Sequence, residues 1–170
     1  MPTRRIPKNH LVVTGRHASA RSADGSADFE STLEKEHMLL LDFDPRVERY
    51  EAQPVRIEVG GGRHYTPDLL VTFWANPDGV RPPCELIEVK TQADLDKHAD
   101  EYREKFRAAR TYADQRGWLF IVRTEADIRR PRLGAAKFLR SYRSITPSGE
   151  HVERLMAAIR THGELCPARE

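Results

Sequence analysis

His64-Tyr-Thr-Pro-Asp68, running on through Leu69-Leu-Val-Thr-Phe-Trp74 to Glu85-Leu-Ile-Glu-Val-Lys90, is the stretch on which the fold turns. Leu69 to Trp74 is apolar and rich in β-favouring side chains, and Asn76-Pro-Asp-Gly79 closes it with turn chemistry. Glu85 to Lys90 reads as the next strand. Residues two apart on a strand share a face, so Glu88 and Lys90 point one way while Ile87 and Val89 point the other. Asp68 enters the earlier strand directly after Pro67. If the two strands pair as a meander, the carboxylates of Asp68 and Glu88 meet beside the ammonium of Lys90.

Upstream, Asp28 to about Asp42 has helical periodicity, with Phe29, Leu33 and Leu40 on one stripe and Asp28 as N-cap. Asp44-Pro45 ends that helix, because the residue before proline is pushed out of the helical region. Val55-Arg-Ile57-Glu-Val59 alternates as a half-buried strand and Gly60-Gly61-Gly62 turns it. After Thr91 a long charged helix is expected to about Arg116, with Tyr102, Phe106, Ala109 and Ala113 facing inward and Gly117 stopping it. Trp118 to Val122 reads as a buried strand, parallel to its neighbour because a helix connects them. Two shorter helices follow, around Leu133–Tyr142 and Glu150–Arg160. The order helix, three antiparallel-type strands, helix, strand is that of an α/β sandwich of one domain. The expected organisation is a basic flexible arm over 1–26, a catalytic domain over 27–145, and a C-terminal helix and tail over 146–170.

With 170 residues, the chain suits one domain with a proper core. Hydrophobic residues are 39% and charged residues 32%, which points to a large solvated surface. No apolar run approaches the ~20 residues that cross a bilayer, and the basic N-terminus lacks a signal peptide's apolar stretch. The expected location is therefore the cytoplasm, with no membrane partner. Cys84 and Cys166 form no Cys-x-x-Cys pair, which argues against a disulfide framework or a zinc site. The net charge of +2 does not announce a DNA binder, but its distribution is uneven. Arg4, Arg5, Lys8, Arg16 and Arg21 occupy the first segment without an acid. A second cluster contains Arg129, Arg130 and Arg132, the residues expected to touch DNA phosphates. Each cluster also reads as a solvated face.

Two like charges held together are favourable mainly when a cation sits between them. Hard oxygen ligands without a His or Cys partner select Mg²⁺, or Mn²⁺ in its place, over zinc. Such a metal polarises a phosphodiester and acidifies water, and Lys90 orients that water or balances the charge that builds up. The competing reading is a strand-surface ion pair between Glu88 and Lys90, of little energetic weight. On the first helix Glu34 lies at the edge of the buried stripe, where an acid needs a partner such as a metal. Alternatively, Ser31-Thr-Leu-Glu34 is a capping box for a helix that starts later. Glu30 competes with Glu34 as the functional acid. Gln53, just before Pro54, either reaches a ligand or faces water.

Phe29-Glu-Ser-Thr-Leu-Glu34, Phe43-Asp-Pro-Arg-Val47, Gln53-Pro54, Tyr65-Thr-Pro-Asp68, Leu86-Ile-Glu-Val-Lys90, Gly117-Trp118 and Thr124-Glu125 occur in order. From about Asp28 to Tyr142 the chain resembles the catalytic domain of TnsA-type transposon endonucleases, members of the PD-(D/E)xK superfamily. The resemblance implies a restriction-endonuclease-like sandwich, a mixed sheet flanked by helices. It also implies Mg²⁺-dependent cleavage of double-stranded DNA at the 5′ ends of a mobile element. A DDE transposase and an AAA+ regulator are the implied partners. Position by position, it places the helix acid on Glu34 and the metal-binding aspartate on Asp68. Glu88 takes the Glu-or-Gln position, Lys90 is the catalytic lysine, and Gln53 belongs to the same set. The residues after Tyr142 are too few for the winged-helix domain of longer members. Two other readings remain: a non-catalytic DNA-binding scaffold with a nuclease fold, and a nuclease of the same fold in phage DNA processing or defence.

Overall fold

Leu86 and Ile87 have no exposed surface, and the strand that carries them is an inner strand of the main sheet. The computed structural model describes residues 13–143 and 145–162. The chain opens with β1 (Gly15–Ala18), β2 (Ser26–Phe29) and α1 (Thr32–Asp42), followed by β3 (Val47–Ala52), β4 (Ile57–Gly60) and β5 (Arg63–Tyr65). β6 (Leu69–Phe73), β7 (Glu85–Val89), α2 (Gln92–Lys97), α3 (Ala99–Asp114) and β8 (Leu119–Arg123) come next. The described chain ends with α4 (Glu125–Ile128), α5 (Pro131–Arg140) and α6 (Gly149–His162). Compact units divide between Lys137 and Phe138, ahead of the boundary expected at 145. Among the described residues no helix is long and apolar enough to cross a membrane.

The main sheet has the order β3-β6-β7-β8. Its first two pairings are antiparallel and β7–β8 is parallel, as a helical crossover through α2 and α3 requires. β7 is apolar on both sides because both sides are covered. Ile87 joins Met38, Tyr50, Leu69, Val71 and Ile128 in the core on one face. Leu86 joins Ile57, Tyr65, Phe106, Ala109 and Ala113 in the core on the other. Each such Leu or Ile contributes ~1.5–3 kcal/mol by leaving water. The result is the α/β sandwich with a mixed sheet.

Several expectations change in detail. The strand expected at 55–59 does not join the main sheet: β4 pairs with β5 as a separate hairpin. Its place in the sheet is taken by β3, which the sequence reading did not find. The long helix after Thr91 is broken at His98, whose N–H returns to the Asp94 carbonyl at 3.0 Å. β8 is an edge strand and only half-buried, with Leu119 49% exposed, because no described strand pairs on its far side.

The arm expected over 1–26 is ordered structure from Gly15 onward; Arg4, Arg5 and Lys8 lie outside the described residues. Asp42, at the end of α1, gathers three buried partners. His17 Nε2 lies 2.9 Å from its Oδ2, while the Ser19 and Tyr50 hydroxyls donate to its Oδ1. Arg21 donates to the carbonyls of Leu41 and Asp44, where the α1 dipole is negative. Arg16 pairs with Asp28 at 3.1 Å. These two arginines therefore brace the β1–β2 hairpin and α1.

Candidate active site

The β6–β7 register pairs Leu69 with Ile87 and Leu70 with Leu86, so one step further sets Asp68 opposite Glu88. Both acids share the sheet face of Leu70 and Leu86. The Val89 N–H donates to Asp68 Oδ2 at 2.7 Å, which locks this carboxylate onto the neighbouring strand. Lys90 Nζ stands 2.9 Å from Glu88 Oε1 and 3.6 Å from Asp68 Oδ2. The Tyr65 hydroxyl donates to the remaining oxygen, Glu88 Oε2, at 2.6 Å. Glu88 is only 3% exposed, so the surface ion pair considered from sequence is a buried one.

Burial raises the proton affinity of Asp68, and the Glu88 charge raises it further, against Lys90 and the Val89 N–H. Burial also raises Glu88, against Lys90 and the Tyr65 hydroxyl. Desolvation would lower Lys90, but Asp68 and Glu88 overcome it and hold the ammonium well above its usual range. Glu34 is pushed up to about 7, first by burial and then by Asp68. It does not line the cleft, yet its charge is felt by Lys90 and Glu88. Three carboxylates, Glu34, Asp68 and Glu88, thus face one ammonium. With Glu30 also acting on Asp68, ionised carboxylates outnumber the ammonium, an excess of negative charge that a divalent cation would offset.

Glu34 also completes a helix cap. Its N–H donates to the Ser31 hydroxyl oxygen at 3.1 Å, and its carboxylate accepts from the Ser31 hydroxyl and the Glu30 N–H, each at 2.8 Å. Ser31, not Asp28, is therefore the N-cap of α1, and of the two sequence readings of Glu34 these bonds show the capping one, the carboxylate holding the Ser31 hydroxyl and the Glu30 N–H. Glu30 reaches the cleft itself, accepting from Gln53 Nε2 at 3.2 Å. Gln53 is buried, and its N–H donates to the Asp68 carbonyl at 2.8 Å. Its φ of 48° lies in the left-handed region, a conformation that costs a non-glycine residue about 1 kcal/mol or more and concentrates at functional sites.

These side chains open into a cleft of ≈ 610 Å³. Its lining joins Asp68, the buried Glu88 and Lys90 with Glu30 and the buried Gln53, the exposed Arg56 and His64, and the half-buried Lys105. Among the described residues, no three His, Cys, Asp or Glu side chains are gathered tightly enough to cage a metal alone. Mg²⁺ does not require that, since it keeps several waters and takes one or two carboxylates. The donor set therefore fits such an ion.

Arg129, Arg130 and Arg132 do not line the cleft. Arg129 Nε is 2.9 Å from Glu36 Oε2, and Arg132 lies 3.9 Å from Asp44. Arg130 donates to the Ala126 carbonyl at 3.2 Å. Sequence reasoning assigned no role to Tyr65, Arg56 or Lys105. Tyr65 was findable, because a tyrosine three residues before a candidate site acid needs an acceptor for its hydroxyl once buried.

Residues 44–125 match the family model described as TnsA-like endonuclease N terminal. Gln53, Asp68, Glu88 and Lys90 fall inside that segment, whereas Glu30 and Glu34 precede it. No curated protein matches the chain. Ordered helix, mixed sheet and parallel crossover agree with a restriction-endonuclease-like fold, and the chain carries a TnsA-type endonuclease-like domain.

Proposed function

We propose that this chain is a metal-dependent DNA endonuclease subunit of a transposon system, hydrolysing phosphodiester bonds at the 5′ ends of the element. The observation that carries this reading is the pair of Asp68 and buried Glu88, held across two strands beside Lys90 with more carboxylates than cations around them. Asp68 and Glu88 would hold Mg²⁺ or Mn²⁺, with Glu34 close enough to add its charge. A divalent ion there supplies polarisation of the phosphodiester and acidification of water. Lys90 holds a proton throughout and offsets charge on the phosphate oxygens. Tyr65 fixes the orientation of the Glu88 carboxylate, and Gln53 fixes the Asp68 backbone. A DDE transposase and an AAA+ regulator would supply target and timing inside the prokaryotic cell.

Purified protein, alone or with its transposase, is expected to nick duplex DNA with Mn²⁺ or Mg²⁺. Asp68→Ala and Lys90→Ala are each expected to abolish nicking. Equal activity of wild type and Asp68→Ala in the complete assembly removes the reading.

A non-catalytic scaffold is the second reading, favoured by the Lys90 ammonium already bridging both carboxylates. Calorimetric titration with Mg²⁺ separates the two. A scaffold shows no heat that Asp68→Asn removes.

A further inference from the structure

The exposed part of the cleft lining carries basic groups, opposite in sign to the acids buried in it. Arg56 and His64 stand on the side built by the β4–β5 hairpin, and Lys105 stands on α3. The hairpin is fastened to that helix. Ile57 and Tyr65 share its core with Phe106, and Arg63 Nη2 meets Glu104 Oε2 at 2.5 Å. Arg56 and His64 therefore sit on a braced wall.

Arg56 differs from the other cations of the cleft in its partner. Lys90 is paired with Glu88 and Asp68, and Lys105 with Glu101. Arg56 is exposed, and its contact among the described residues is Nη2 to His64 Nδ1 at 3.2 Å, with no carboxylate in ion-pairing range. A guanidinium can only donate, so Nδ1 accepts and His64 keeps its proton on Nε2. The planar guanidinium retains further N–H groups in the fork geometry that suits a phosphate. The turn beside it, Gly60-Gly61-Gly62, holds positive φ at all three residues and presents no side chain to an approaching polymer.

A cleft whose buried acids carry surplus negative charge repels a polyanion unless exposed cations offset it. We infer that Arg56, aligned by His64, is a clamp for a backbone phosphate flanking the one at Asp68 and Glu88. The inference rests on the nuclease reading and adds the residues that seat the nucleic acid.

The test is fluorescence anisotropy of a short labelled duplex with the full chain across a salt series. It compares wild type, Arg56→Ala, Arg56→Lys, and Arg103→Ala as an exposed arginine paired elsewhere with Asp100. Arg56→Ala is expected to weaken binding about tenfold and to reduce the log–log salt slope by about one. Arg56→Lys keeps the slope and restores part of the affinity, and Arg103→Ala matches wild type. Arg56→Ala binding with wild-type affinity and slope overturns the clamp, as does wild-type binding that is flat in salt. The nuclease reading fails on a different result, namely nicking that survives Asp68→Ala.

Discussion

His37 is buried in α1, and among the described residues neither ring nitrogen has a hydrogen-bond partner. Burial, helped by the Arg123 charge, pushes its pKa down to about 4 from 6.5. Its contribution to stability is complete above the unfolded value and is lost as pH falls through the folded one, because protons then favour the unfolded chain. Glu34 titrates in the opposite sense. Its folded pKa of about 7 lies above the ordinary 4.5, so stability is lost as pH rises across that interval. Each group is worth up to about 3 kcal/mol at 1.36 kcal/mol per pKa unit, and the two slopes oppose each other. In chelator, the raised Asp68 and Glu88 add to the Glu34 slope, so His37→Leu should make stability fall more steeply from pH 4.5 to 7 and Glu34→Gln should make it fall less steeply. Urea unfolding at both ends of that interval reads the slopes; unchanged slopes in both variants sink the assignment. Gln53 permits a separate test. Gln53→Gly removes the side chain but relieves the left-handed backbone, so stability should hold within about 1 kcal/mol of wild type. DNA nicking should nevertheless fall. A loss of stability equal to that of Gln53→Ala would show that φ carries no strain. Asp68, Glu88 and Lys90 were legible in the sequence because strand alternation puts chemistry on one face and core on the other. Arg56 and Lys105 were not, since exposed cations look alike until a fold sets them around an opening.

At the scale of elements, what stayed hidden had an irregular period. β3 buries Val47, Tyr50 and Ala52, and its register slips between Val47 and Arg49. A bulge of this sort breaks the alternation by which strands are read. β1 and β2 are four residues each and bury His17, whose partner Asp42 lies far along the chain. β6 was found because its run is almost wholly apolar, and β7 because Leu86, Ile87 and Val89 surround Glu88 in a β-favouring segment. α1 was found but started early, since Asp28 is as good a cap as Ser31 on paper. Structure distinguishes them: Ser31 accepts from the N–H of Glu34 and donates to its carboxylate. Ser31→Ala should therefore destabilise the fold by about 1 kcal/mol, as loss of an N-cap does, while Ser31→Thr stays near wild type. Asp28→Ala, which removes only the partner of an exposed Arg16, should cost less than half as much. Urea midpoints for the three variants decide it, and a larger loss in Asp28→Ala than in Ser31→Ala would restore the earlier helix start.

For the molecule as a whole, the proposed metal site is a source of instability that a bound ion would relieve. Three carboxylates share one ammonium beside two hydrophobic cores, and the proton affinities of Glu34, Asp68 and Glu88 all rise in consequence. Burying charge without a counterion is costly, so the metal-free chain pays in stability for the arrangement that makes a cation site. An ion that binds only the folded state returns RT ln(1 + [L]/Kd), about 2.7 kcal/mol at roughly a hundredfold excess over Kd. Mg²⁺ or Mn²⁺ should therefore raise the thermal midpoint in a concentration-dependent way at pH 8, where all three acids tend toward ionisation. Ca²⁺ is a useful comparison, because a site made for a small octahedral ion gains less from it. Asp68→Asn makes the prediction sharp. Asparagine still accepts from the Val89 N–H, while one buried negative charge disappears and Lys90 keeps Glu88. The variant should be at least as stable as wild type without metal and should lose the metal-induced rise. A variant that is less stable in chelator, or that keeps the full rise, shows that the excess negative charge at this site is not what the cation answers.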